Sequence, residues 1–190
     1  MKTFTRALLF AALLPFAFAA QAADHYTLDP AHTSVGWEIS HFGFSHPSGK
    51  FALIDGTLSL DAVHPENSTV SATIPIANLV TGIPKLDEHL KSKDFFDVAT
   101  FPTATFASTK VDVQGNDSAI VHGTLTLHGV SKPVDLNVRL NKIGENMMKK
   151  PTAGFSATAT IKRSDFGMKT YLPALGDEIK LTIESESNIQ

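Results

Sequence analysis

The chain has 190 residues, 43% apolar and 18% charged, with 16 Lys+Arg against 19 Asp+Glu for a net charge of −3. That balance argues against nucleic acid or an anionic lipid surface as a partner, since both are bound through clustered cations. Cysteine is absent, which excludes disulfide staples, thiol redox chemistry and thiolate metal sites.

The first residues specify an address. Lys2 and Arg6 form a basic start, "ALLFAALLPFAFA" is an unbroken apolar run, and "AQA" at 20–22 offers small residues for cleavage. Pro15 sits inside the run, which is shorter than the roughly 20 apolar residues that span a bilayer. The pattern predicts a cleavable secretory signal peptide over 1–22 and one mature domain over 23–190. Lys2 and Arg6 leave with the leader, so 14 Lys+Arg remain against 19 Asp+Glu, a net of −5.

From there the chain alternates apolar and polar residues at period two in eight successive segments, the mark of half-buried strands. "SVGWEISHF" puts Val35, Trp37, Ile39 and His41 on one face. "KFALIDGTLSL" keeps Ile54, Leu58 and Leu60 in phase but throws Phe51 and Leu53 out, which predicts a bulge near Asp55 and Gly56. "TVSATIPI" aligns Val70, Ala72, Ile74 and Ile76, and "TATFASTKVDV" changes phase between Phe106 and Val111. "AIVHGTLTL" aligns Val121, Gly123, Leu125 and Leu127; "PVDLNVRL" aligns Val134, Leu136, Val138 and Leu140. "GFSATATIKR" gives Phe155, Ala157, Ala159 and Ile161, and "EIKLTIE" gives Ile179, Leu181 and Ile183. "HPSG", "DG", "HPEN", "QGND" and "LHGVSKP" between them supply the residues of tight reversals, so neighbours run antiparallel.

Strands with one apolar face must bury it against a second sheet or by curling the sheet upon itself. A β-sandwich satisfies this, but closure into an eight-stranded up-and-down barrel also removes exposed edges. The predicted fold is that barrel. Ala72, Gly123, Ala157, Ala159 and Ala104 are small for inward positions. They fit either a lumen that holds one slender ligand or a filled core in which small residues receive the rings of the 13 Phe.

One segment breaks the β pattern. Pro84 to Lys93 carries Leu86 and Leu90 on one side and Lys85, Asp87, Glu88 and Lys91 on the other, predicting a short helix. Phe95 and Phe96 follow where it ends. The expectation is a lid across one mouth, with its rings directed at the lumen.

The eight histidines match no strong zinc spacing, and no metal site is expected. His122 and His128 lie on polar faces, and His25 and His64 beside turns. His41 differs, because it continues the apolar face of Trp37 and Ile39, either as a half-buried residue or as a ligand or acid–base group. No esterase elbow, HExxH, phosphate loop or dinucleotide fingerprint occurs, and no catalytic set is expected. Arg163 and Asp165 share the phase of Ile161 at strand spacing, which suggests a charged pair at the barrel mouth, structural or anchoring a polar head group.

Several stretches together, "HFGFSHPSGKF", "DGTLSLD", "HLKSKDFFDVATFPTATFAS", "GTLTLHGVSKPV" and "GFSATATIKRSDFG", resemble the YceI-like polyisoprenoid-binding proteins, in order from about Asp24 to Glu186. The central signature, His89, Leu90, Lys91, Ser92, Asp94, Phe95, Phe96, Phe101 and Pro102, is specific. The resemblance implies a secreted, lipocalin-like eight-stranded antiparallel barrel enclosing an isoprenoid chain, its polar head near the opening.

The expectation is therefore a periplasmic binding or carrier protein for an isoprenoid quinone or prenyl pyrophosphate, with the lipid as ligand and no cofactor. Expected ligand contacts are Trp37, Ile39, His41, Phe42, Phe44, Ala72, Leu90, Phe95, Phe96, Phe106, Gly123, Leu125, Phe155, Ala157, Ala159, Ile161 and Arg163. An enzyme modifying a held amphiphile and a filled barrel serving as an interaction module are the alternatives. Transient membrane contact and a homodimer are both open, and nucleic acid is not expected as a partner.

Overall fold

The computed structural model describes residues 23–190; the predicted signal peptide lies outside the described residues. Eleven strands form one sheet. The first six come in three broken pairs: β1 (Asp24–Leu28) with β2 (Ser34–His41), β3 (Ser48–Ala52) with β4 (Asp55–Leu60), and β5 (Thr69–Pro75) with β6 (Leu79–Val80). Helix α1 (Pro84–Lys91) follows, then five longer strands: β7 (Thr103–Val113), β8 (Ser118–Leu127), β9 (Val130–Glu145), β10 (Pro151–Lys162) and β11 (Leu175–Ile189).

The order β1-β4-β5-β7-β8-β9-β10-β11, with β11 pairing back onto β1, is a closed eight-strand antiparallel barrel. The far half of β11 holds β1 through Tyr26↔Ile189 and Leu28↔Ser187, while its near half holds β2 through Ile183↔Val35 to Leu175↔His41. Consecutive half-strands are thus single bent staves, each crossing from the lower ring to the upper wall. Sequence reasoning missed β1, whose five residues give a weak alternation, although its Tyr26 and Leu28 are 3% and 5% exposed.

One predicted kink is displaced and the other falls where expected. The second stave breaks at Leu53, which is left-handed at φ 56° and exposed, so the expected bulge falls two residues before Asp55. The phase change in β7 is a register shift between Ser108 and Lys110, inside the predicted window. The β8–β9 reversal uses only His128 and Gly129, at φ 51° and 74°. Two left-handed residues give the turn whose twist suits a hairpin.

At the upper end β6 pairs only with β3, and β7 only with the lower stave β5 and with β8. The wall parts there, and residues 81–102 cross the gap. Pro84 opens α1, a position where its missing N–H costs nothing. The Asp87 carboxylate accepts from the Thr81 N–H at 2.8 Å and from Thr81 Oγ1 at 2.6 Å, fixing the approach. The helix ends at Lys91, two residues before its predicted end, and Ser92 Oγ donates to the His89 carbonyl at 2.7 Å.

The interior divides into two parts. Tyr26, Leu58, Leu60, Ala153 and Phe155 plug the lower end, beside a second cluster of Phe106, Val111 and Val121. The larger upper cluster includes Phe51, Ile54, Ile76, Leu79, Phe166 and Met168. Outward positions are polar, as in Lys180, Thr182, Glu184 and Glu186 of β11, the reverse of a lipid-facing barrel. Among the described residues no helix is long and apolar enough to cross a membrane.

Gly123 shows how the plug is packed. A Cβ on it would run into the Phe106 ring and lie 2.7 Å from the Ala107 carbonyl oxygen. Gly123→Ala is therefore expected to lower unfolding stability by about 1–3 kcal/mol. Phe106→Leu in the same chain should recover part of that loss in denaturant titrations; full additivity of the two would contradict the clash.

On the outer face, His122 Nδ1 stands 2.7 Å from Asp135 and Nε2 3.0 Å from Asp112. Asp135, then Asp112, raise the imidazole pKa above its ordinary 6.5. A group raised on folding stabilises fully below its unfolded pKa and loses that contribution as pH climbs through the folded value. Wild type should therefore exceed His122→Asn in chemical-denaturation midpoint at pH 6, with the gap closing above neutrality. A gap that widens with pH would refute the pairing.

Candidate functional site: an apolar cavity under a helical lid

The upper half of the barrel is not filled by side chains. It encloses a cavity of about 560 Å³, inside the roughly 300–1,000 Å³ typical of small-molecule sites. Successive inward residues of each stave form the wall: Val35, Trp37 and Ile39 from β2, Ile74 and Ala72 from β5, Phe106 and Ala104 from β7. Leu125 and Leu127 of β8, Val134 and Leu136 of β9, Ile161 of β10, and Ile179, Leu181 and Ile183 of β11 complete it.

The lid forms the roof. Leu86, His89 and Leu90 of α1 face the cavity, followed by Phe95 and Phe96. Phe96 meets Phe51 edge-on with centroids 5.5 Å apart, and Phe95 meets His89 edge-on at 5.1 Å. Such edge-to-face contacts suit the opposite partial charges of ring face and rim. Phe101 anchors the lid's exit against His128, centroids 4.5 Å apart. A second loop, carrying Met168 and Tyr171 and leading into Leu175 at the start of β11, closes the other side. Thr170 Oγ1 donates to the Asp94 carbonyl at 2.6 Å and stitches the two together.

His41 and Phe42 line the rim, with His41 edge-on to Phe42 at 4.6 Å. The Phe44 N–H bonds the His41 carbonyl at 3.0 Å, closing a turn through Phe42 and Gly43, both left-handed. Phe44, expected on the wall, is instead at the tip of this turn and 92% exposed.

Four more of the expected contacts lie off the wall. Gly123 is covered by the Phe106 ring, and Phe155 belongs to the lower plug. Ala157 and Ala159 are buried but do not border the cavity. Their cross-strand partners Ile183 and Leu181 do, with longer side chains that reach past them. Most of the wall is built by Val, Leu, Ile and aromatic residues that already show the inward phase in the sequence. Met168 and Tyr171 come from a loop without periodicity, and Leu175 is the first residue of β11, set apart from its regular run by a register irregularity; none gave such a signal.

Arg163 borders the cavity but has no ion pair with Asp165. After Lys162 the chain leaves the strand for a 3-10 turn, Arg163–Phe166, that ends on left-handed Gly167. The turn sends Asp165 to the exposed side and buries Arg163 to 3%. The guanidinium donates through Nε to Gly176 O at 2.7 Å, and through its Nη atoms to Met168 O and Leu175 O, both at 3.0 Å. Burial holds its pKa below the ordinary value, against the opposing charge of Asp177. Its task is to hold the second loop over the mouth. Among the described residues no three His, Asp or Glu side chains gather into a metal site.

The model of the YceI-like domain matches residues 26–187. The chain belongs to the YceI-like family. A UPF0312 protein of Pseudomonas savastanoi pv. phaseolicola is 41% identical over 171 residues, covering 89% of this chain and 88% of that one. The crystal structure of a Campylobacter jejuni YceI protein aligns with a TM-score of 0.72 at 33% identity, over 77% of this chain and 87% of the other. A polyisoprenoid-binding domain from Saccharophagus degradans shares the fold with a TM-score of 0.70 at 16% identity, over 90% and 100%. In this YceI-like chain the central signature, His89 to Pro102, is the lid and its hinges.

Arg163→Lys tests the mouth. A lysine has one ammonium and cannot reach three carbonyls in fork geometry. The variant is expected to lose about 2–4 kcal/mol of stability, with faster amide exchange in residues 168–176. Unchanged exchange there would show that the loop holds itself.

Proposed function

We propose that this YceI-like protein is a periplasmic carrier that encloses one isoprenoid lipid, a quinone or prenyl derivative, inside the barrel. The observation that carries the reading is the cavity itself. Its wall is almost wholly hydrocarbon, drawn from every stave of the ring, and it lies under a lid of aromatic side chains. A fold relative that binds polyisoprenoid supports the class of ligand, and the predicted leader supports the location.

Energetics favour carriage. Each methylene withdrawn from water contributes about 0.8 kcal/mol, so a chain of several isoprene units does not travel free in aqueous solution. Moving the same chain from bilayer to lumen exchanges one apolar surrounding for another and is close to neutral. Uptake and delivery are then controlled by fit and by the polar end of the ligand. Neither direction needs an energy source.

Native mass spectrometry of protein purified from its own periplasm, followed by lipid extraction, tests the reading. A stoichiometric isoprenoid is expected. Ala72 borders the cavity and is half-buried, so Ala72→Trp should fill the bore and abolish retention while the barrel keeps its circular dichroism spectrum. Undiminished retention in that folded variant would place the ligand elsewhere.

A further inference from the structure

Two rows of the wall change character at depth. From the rim inward, β2 presents His41, Ile39, Trp37 and Val35 to the cavity, and the next inward residue is Thr33. On β11 the row runs Leu175, Ile179, Leu181, Ile183 and then Ser185. Beyond Ser185 lies Ser187, which is 0% exposed and whose hydroxyl has no partner. The oily bore thus ends on hydroxyls, up to about 26 Å along the strand from His41 at ~3.3 Å per residue.

These hydroxyls are poorly satisfied by the protein. Thr33, 4% exposed, has Oγ1 at 3.3 Å from the Glu186 carbonyl and at 3.4 Å from Ser185 Oγ. Both separations exceed the roughly 2.7–2.8 Å preferred by O–H···O bonds. Ser187, one step deeper, has a hydroxyl with no bond at all but does not border the cavity. Buried polar groups of this kind cost stability unless something bonds them. Valine and alanine would serve a purely apolar floor better, as they serve the rest of the wall.

We propose that Thr33 and Ser185 form a subsite for a neutral oxygen at the end of the bound lipid. Resting on the isoprenoid reading above, it has the ligand enter oxygen first, with its hydrocarbon trailing to the lid, the reverse of the head-at-the-opening arrangement that the family resemblance implies. Each hydroxyl donates and accepts, so the floor suits an alcohol or a ketone. A pyrophosphate does not fit. Ser185 lies between Glu184 and Glu186 in the chain, and the one arginine of the cavity is at the opposite end with three carbonyls on its guanidinium. A multiply charged group without a counter-ion is far costlier to bury than a hydroxyl. Among isoprenoids, the site selects prenols or quinones over prenyl pyrophosphates.

Displacement of a fluorescent lipid from the delipidated full domain tests this with three probes of one chain length: geranylgeraniol, the hydrocarbon lacking its hydroxyl, and geranylgeranyl pyrophosphate. In wild type the alcohol should compete about tenfold better than the hydrocarbon and better than the pyrophosphate. In Thr33→Val, Ser185→Ala and the double variant, the alcohol's advantage should fall toward parity while the hydrocarbon's affinity holds, with melting curves confirming the fold. Parity of alcohol and hydrocarbon in wild type would assign the hydroxyls to water and overturn the proposal. So would an alcohol preference that survives both substitutions, or a pyrophosphate that competes best. If the hydrocarbon displaces nothing and neither do the other probes, the lipid-filled bore itself is wrong, and the subsite falls with it.

Discussion

The short ladder between β1 and the end of β11 is the contact on which the rest depends. Three residue pairs, Tyr26↔Ile189, Thr27↔Asn188 and Leu28↔Ser187, turn an open sheet into a ring. Without them both margins would be unpaired edges, and the apolar face of every strand would need another cover. With them the sheet covers itself, and the lumen becomes a compartment whose width is set by the staves and not by the side chains. The same ladder seals the lower end, since Tyr26 sits in the plug with Leu58, Leu60 and Ala153.

Closure makes the hollow upper half tolerable. A ring of this size can be filled or can hold one ligand, and this chain does both along its length. Below, Phe106 occupies the space left by Gly123 and the interior is solid. Above, the bent staves β2, β3 and β6 widen the wall, and the gap beside β6 admits the lid. Function then follows from a division of labour. Hydrogen-bonded strands supply a rigid apolar tube, while Arg163, Thr170 and the ring contacts of Phe95 with His89 and of Phe96 with Phe51 hold a roof made of a short helix and a loop. A roof with fewer backbone ladders than the wall is the part that can open at modest cost.

Much of this was legible in the sequence, and the failures have physical causes. Strict alternation in "PVDLNVRL" or "EIKLTIE" identifies the inward face because side-chain period in a strand is two. The aromatic pair after an amphipathic turn identified the lid. Small inward residues were ambiguous, because size at one position says nothing about the neighbour that covers it. Gly123 is filled by Phe106, whereas Ala72 faces open space. Strand spacing puts Arg163 and Asp165 on one face, but the strand ends at Lys162 and a 3-10 turn separates them. The loop of Met168 and Tyr171 has no period to read, and Thr33, just before β2, was passed over because no apolar alternation marks it.

The central claim is that hydrocarbon occupies the lumen between Trp37 and Leu125. Diffraction from crystals grown with a prenyl chain brominated at its far end tests this directly, because bromine is located by anomalous scattering alone. The account predicts one strong peak inside the ring, under Phe96, with the lid closed above it. A peak on the outer surface, or a lumen closed up by the protein's own leucines and phenylalanines, would contradict it.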